Sequence, residues 1–130
     1  MGDTPRILIV DDEAPFRFSA TVALRQSGFR VAEARDGAEA IVKILEARDA
    51  GDPFRLVVTD IRMPTMSGSE LIDALAAREI GTPVCAITCF GDRGLVTDLA
   101  AKGCTEYLEK PFSPEELVAW ITRVLSSGPR

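Results

Sequence analysis

Apolar positions along the chain come in short blocks separated by longer polar and mixed stretches. Runs rich in apolar and β-branched residues, at Arg6–Val10, Arg30–Ala34, Phe54–Thr59, Pro83–Thr88 and Glu106–Leu108, predict five strands. Several are apolar at consecutive positions, as in Ile7-Leu8-Ile9-Val10, so both faces of their sheet should be covered. The fifth run is weak, and only its place in the alternation marks it as a strand. Between the runs, apolar residues recur at helical spacing: Ala38, Ile41 and Leu45 in one segment, Leu117, Ile121 and Val124 in another. Asp36, Ser67 and Ser113 each precede a Glu by three residues, the pattern of a helix N-cap, and Pro114 falls where a missing N–H costs nothing. Gly28, Gly51, Gly81 and Gly103 stand where helical segments end and a left-handed C-cap is wanted. Five strand–helix alternations predict an α/β domain with a five-stranded, mostly parallel sheet and helices on both faces.

No repeat, low-complexity stretch or hinge divides the chain. Residues 5–126 read as one domain, and 127–130 as a C-terminal tail or the start of a linker. The 130 residues suit a single core, and an apolar fraction of 46% is that of a globular protein. A net charge of −5, with basic residues scattered, argues against direct nucleic-acid contact. The longest apolar run, Leu117–Ile121, is far too short to span a bilayer, and Ile7–Val10 is too short for a signal peptide. Cys85, Cys89 and Cys104 have no metal-binding spacing and read as reduced thiols, so a cytoplasmic location is expected. The absence of histidine excludes Ser-His-Asp and Cys-His nucleophile systems, histidine zinc ligands and a histidine base.

In open α/β sheets the functional crevice lies beyond the carboxyl ends of the strands. Asp11, Asp12 and Glu13 follow the first strand, Asp60 the third, Thr88 ends the fourth, and Lys110-Pro111 follows the fifth. Carboxylates brought together repel unless a cation sits among them, and oxygen-only ligation with open positions suits Mg²⁺. Asp60 is a plausible nucleophile, because carboxylates form acyl phosphates. Lys110 and Thr88 are suited to a phosphoryl oxygen, and phosphoryl transfer needs little beyond positioning, a metal and charge compensation.

Together, Ile7-Leu-Ile-Val-Asp11-Asp12-Glu13, Val57-Val-Thr-Asp60-Ile-Arg-Met63-Pro64, Ser67-Gly68, Ile87-Thr88 and Tyr107-Leu-Glu-Lys110-Pro111-Phe112 resemble the receiver domains of bacterial two-component response regulators. The resemblance covers nearly the whole chain. It implies a flavodoxin-like, doubly wound (βα)₅ fold with strand order 2-1-3-4-5. It implies that Asp60 is the phosphoacceptor, and that Asp11, Asp12, Asp60 and the backbone carbonyl of Arg62 hold Mg²⁺ or Mn²⁺. Thr88 and Lys110 would bind the phosphoryl group, with a cis peptide at Lys110-Pro111. Thr88 and Tyr107 would switch the face formed by the fourth helix, fifth strand and fifth helix. Implied partners are a sensor histidine kinase or histidine phosphotransfer protein as donor, a downstream effector domain or protein, and a phosphorylation-dependent homodimer.

The chain departs from the family at Cys89, where a small residue is usual; the thiol either narrows access to the acyl phosphate or merely fills space. Arg62 and Phe90 stand where the family tunes the lifetime of the phosphoryl group. Trp120, and Leu95, Val96 and Leu99, belong either to the core or to the output face. Asp11-Asp12-Glu13 taken alone would also serve as an acidic helix start. Haloacid dehalogenase-like phosphatases use an aspartyl nucleophile but carry a second Asp two residues on, where this chain has Arg62. A phosphate-independent interaction module is the other alternative, although such modules usually lose one of the key acids or the lysine. Turnover on a free substrate is not expected.

Overall fold

The structure, a computed structural model, describes residues 4–63, 66–89, 93–102, 104 and 106–126, with the backbone alone at 93, 95 and 96. Among the described residues ten elements alternate: β1 (Arg6–Val10), α1 (Ala14–Gln26), β2 (Arg30–Ala34), α2 (Gly37–Asp49), β3 (Leu56–Asp60), α3 (Gly68–Ala77), β4 (Val84–Thr88), α4 (Arg93–Ala101), β5 (Tyr107–Glu109) and α5 (Pro114–Ser126). All strand pairs are parallel, in the order β2-β1-β3-β4-β5. This is the flavodoxin-like doubly wound arrangement expected from the alternation and the resemblance. The positions of Phe90, Gly103 and the tail 127–130, and the side chains of Leu95 and Val96, lie outside the described residues.

The strands read as continuous apolar runs because each face of the sheet has its own core. Ile7, Ile9, Leu56, Val58, Cys85 and Ile87 point to one side, against Leu24 of α1 and Leu117, Trp120 and Ile121 of α5. Leu8, Val10 and Val57 point to the other, against Ile41 and Ile44 of α2 and Leu71 and Leu75 of α3. Ile61, Ile72, Ala86, Leu99 and Cys104 form a third cluster. Trp120 and Leu99 are thus buried packing residues and are not available to an output surface.

Local signals explain most boundaries. Ser67 and Ser113 close reciprocal capping boxes with Glu70 and Glu116. Asp36 accepts from the Glu39 N–H, but the Glu39 carboxylate reaches back one residue further, to the Arg35 N–H. Gly28 and Gly51 adopt the left-handed conformation after α1 and α2. Gly81 does not. The helix α3 stops a turn earlier, and Glu79 takes the left-handed position with φ 55° while its N–H bonds the Ala76 carbonyl. Ile80 then bonds back to Leu75, and burial of its side chain holds that turn in place.

The strand order places the topological switch between β1 and β3, since the chain leaves β1 for β2 on one side and returns to β3 on the other. The register Val10↔Thr59 and Asp60↔Ile87 brings the ends of β1, β3 and β4 level. Asp60 is therefore the last residue of β3, one beyond the predicted end. β5 also lies one residue later than predicted, pairing Tyr107 with Ala86 and Glu109 with Thr88. Among the described residues no helix is long and apolar enough to cross a membrane.

Gly68 opens α3 directly against the end of β3. A Cβ there would lie 2.6 Å from the Asp60 carbonyl oxygen and 2.9 Å from Ile61 Cα, both backbone atoms that cannot swing away. Helix propensity favours Ala over Gly by only about 1 kcal/mol, whereas overpacking costs about 1–3 kcal/mol. Gly68→Ala is therefore expected to lower the urea midpoint, and an unchanged or higher midpoint would show that the α3–β3 approach has slack.

Candidate functional site

Among the described residues, the side chains of Asp11, Asp12, Asp60 and Lys110 meet at the carboxyl edge of the sheet, where β4 ends at Thr88. Asp11 is fully buried, Asp60 nearly so and Asp12 is exposed; one carboxylate oxygen from each falls within 4.8 Å of the others. Thr88 is buried at the end of β4, and its carbonyl accepts the Lys110 N–H at 2.7 Å. The Lys110–Pro111 peptide is cis.

Asp11 and Asp60 are held by the same device. Asp11 Oδ1 accepts the Glu13 N–H at 2.8 Å, and Asp60 Oδ1 accepts the Arg62 N–H at 3.0 Å. Each is a local turn in which an Asp satisfies the N–H two residues on, which fixes one carboxylate oxygen and frees the other. The freed oxygens converge on one ammonium. Lys110 Nζ lies 3.3 Å from Asp60 Oδ2, 3.6 Å from Asp11 Oδ2 and 3.3 Å from Glu13 Oε1. Arg17 steadies the turn after β1, donating to the Asp11 carbonyl at 2.7 Å and to Glu33 at 3.0 Å.

The electrostatics are unbalanced without a further cation. Burial pushes the Asp11 carboxyl up; the Glu13 N–H pulls it down, the Asp60 charge pushes it up again and Lys110 pulls it down, leaving it at about 6. Among the described residues its buried Oδ2 has no hydrogen-bond partner. A buried polar atom is normally paired. A carboxylate oxygen left without a hydrogen bond, beside two other carboxylates, is the donor set a hard divalent ion takes, so these residues fit Mg²⁺ or Mn²⁺. Partial burial pulls the Lys110 ammonium down, but Asp11, Asp60 and the hydrogen bonds to Asp60 and Glu13 outweigh it and hold its pKa above the ordinary lysine value. Lys110 is therefore a fixed positive charge at neutral pH.

Tyr107 is 48% exposed, and Cys89 and the Arg62 side chain are also exposed. Burial raises the Cys85 thiol to about 12 and Cys104 to about 11, so both are protonated and inert at neutral pH. Sequence reasoning missed two contributors. One is Gly68, whose lack of a side chain lets α3 close on Asp60. The other is Phe16, whose ring lies under Lys110 with the ammonium 4.5 Å from its centroid. Its place in the first turn of α1, three residues after the N-cap Glu13, was the available signal.

A doubly wound parallel sheet with paired aspartates, a strand-end aspartate and a lysine at the switch-point crevice defines a receiver-type signalling domain. The chain belongs to the family described as the response regulator receiver domain, which matches residues 7–122, and it is a receiver domain of two-component signalling. It is similar to the transcriptional regulatory protein PrrA of Mycobacterium tuberculosis, with 39% identity over 125 residues, covering 94% of this chain and 50% of that protein. The DNA-binding response regulator MtrA of Mycobacterium leprae is 36% identical over 116 residues, covering 89% of this chain and 49% of that one. The chain spans about half the length of these curated relatives. Among solved structures, FixJ-N superposes with a TM-score of 0.83 at 31% identity, covering 100% of this chain and 99% of the other. Chemotaxis response regulator CheY4 of Vibrio cholerae gives 0.83 at 31% identity, covering 94% and 99%.

Proposed function

We propose that Asp60 accepts a phosphoryl group from a phosphohistidine carried by a sensor histidine kinase or a histidine phosphotransfer protein. A carboxylate oxygen of Asp60 attacks phosphorus, the P–N bond breaks, and the electron pair leaves with the imidazole nitrogen. Lys110 takes up negative charge on the transferring oxygens, and Thr88 donates a hydrogen bond to one of them. Mg²⁺ (or Mn²⁺), when bound, supplies further charge neutralisation, and Asp11, Asp12, Asp60 and the Arg62 carbonyl are the residues that would hold it. The domain, taken as residues 5–126, is an acceptor that changes state and has no free substrate to turn over.

The observation that carries this reading is the 3.3 Å contact of Asp60 Oδ2 with Lys110, beside the buried Asp11 Oδ2, which has no hydrogen-bond partner among the described residues. For output, Thr88 and Tyr107 switch the face made by α4, β5 and α5. Burial of Thr88 and exposure of Tyr107 fit the resting position of such a pair. The partner on that face is a downstream effector domain or protein, or a second copy after phosphorylation. The names of PrrA and MtrA, a transcriptional regulator and a DNA-binding response regulator, support an effector attached to a receiver. DNA contact would then belong to the effector, in keeping with the −5 charge of this chain. Inert buried thiols and a kinase donor fit a cytoplasmic location.

Intact-protein mass after incubation with acetyl phosphate or phosphoramidate tests the reading. One phosphoryl adduct is expected with Mg²⁺ and none with Asp60→Asn or with the metal chelated. No adduct on the wild type, with Trp120 fluorescence also unmoved by beryllofluoride, would leave a phosphate-independent interaction module.

A further inference from the structure

The Lys110 ammonium sits in a cradle of two kinds. Asp60, Asp11 and Glu13 attract it, but Coulomb attraction is weakly directional, and a lysine stem has several rotatable bonds. Three acceptors at 3.3–3.6 Å on one edge would let the charge wander among them. The face of Phe16 supplies the missing wall, with the ammonium 4.5 Å from the ring centroid. That ring is itself fixed. Phe112, two residues after Lys110, meets it edge-on with centroids 5.8 Å apart and planes at 76°. Both rings pack on the core cluster under α1 and α5. The lysine, its platform and the clamp on that platform are thus tied together across the two ends of the chain.

We infer that Phe16 is a positioning residue for the phosphoryl-binding lysine: its ring face, braced by Phe112, holds the Lys110 ammonium on Asp60 and keeps it from following the exposed Glu13 carboxylate outward. The inference rests on Asp60 as phosphoacceptor. Glu13 is the N-cap of α1 and Phe16 lies in the first turn that follows, so opposing pulls on one ammonium come from residues three apart at the start of one helix. Leucine at position 16 would keep an apolar contact but remove the quadrupole that attracts a cation, whereas tyrosine would keep the ring.

Two measurements on the wild type, Phe16→Leu and Phe16→Tyr test it. The chain has only three lysines, Lys43, Lys102 and Lys110, so their side-chain ε-methylene signals are separable by NMR. In metal-free, unphosphorylated wild type, the Lys110 signal is expected upfield of the other two because it lies over a ring. It should stay there in Phe16→Tyr and rejoin them in Phe16→Leu. With phosphoramidate and Mg²⁺, the maximal rate of adduct formation should fall about 3- to 10-fold in Phe16→Leu, the scale of a partly exposed cation–π contact. Phe16→Tyr should restore it. A wild-type Lys110 signal at the ordinary lysine position, or a Phe16→Leu rate equal to wild type, would overturn the inference. A wild type that takes no phosphoryl group would instead defeat the phosphoacceptor reading, and the Lys110 shift would then decide the cradle alone.

Discussion

Lys110→Met is expected to slow phosphorylation of Asp60 by about 10²- to 10³-fold, the loss that follows removal of one preorganised donor to developing charge. The size of the effect comes from where the ammonium sits. Lys110 Nζ is 3.3 Å from the freed oxygen of Asp60, and its own N–H is anchored to the Thr88 carbonyl at 2.7 Å, so the charge is in place before the donor arrives. Methionine keeps most of the stem but has nothing to offer an anionic oxygen. The same change should lower the melting temperature near pH 7, because buried Asp11 and Asp60 lose a cation that faces them. Adding Asp11→Asn should restore part of that loss, since one of the two carboxylates is then neutral. Adduct formation followed by mass over time, and melting of the single and double variants, check both halves. A Lys110→Met rate within a few-fold of wild type would reduce Lys110 to an ordinary ion pair.

The parts of the molecule that follow from local chemistry were legible in the sequence. Continuous apolar runs predicted strands covered on both faces, and Ser67 with Glu70 and Ser113 with Glu116 predicted two helix starts. The alternation then carried Asp11, Asp60, Thr88 and Lys110 to strand ends, because a parallel sheet puts every such end on one edge. What stayed hidden depends on how elements approach one another. The end of β3 is set by its register with β4, which pairs Asp60 with Ile87, and no signal within the strand marks it. Gly81 looked like the cap of α3, but burial of Ile80 ended the helix earlier and left Glu79 in the left-handed position. Gly68 stood only as part of the Ser67-Gly68 motif, and its closeness to the Asp60 carbonyl exists only once α3 has docked. Phe16 lies far along the chain from Lys110, so nothing local to either residue could give the other as its partner.

Asp11→Asn should make the metal-free protein more stable at pH 7 and remove most of its response to Mg²⁺. Burial, first, and the neighbouring Asp60 charge push the Asp11 carboxyl from 3.8 up to about 6 against the pull of the Glu13 N–H and Lys110. A carboxyl whose pKa is raised by folding costs nothing while it is protonated in both states, below about pH 4. The cost grows as pH rises and is complete above about pH 6. Two pKa units correspond to about 3 kcal/mol, and structural relaxation brings the expected gain on removing the charge to about 1–3 kcal/mol. Asparagine matches the shape, its carbonyl can still accept the Glu13 N–H, and its NH₂ offers Asp60 a donor where Asp11 offered repulsion. The difference between variant and wild type should therefore be large at pH 7 and shrink towards pH 4. Mg²⁺ should act unequally on the two proteins. At a hundred times its dissociation constant it would stabilise the wild type by about 2.7 kcal/mol, while the variant, short of its buried anionic ligand, should gain little. Urea unfolding of both proteins at pH 4 and 7, with and without Mg²⁺, gives all the comparisons needed. A variant no more stable than wild type at pH 7 without metal would mean that Asp11 is already compensated. Equal stabilisation of the two by Mg²⁺ would place the ion away from the buried carboxylate.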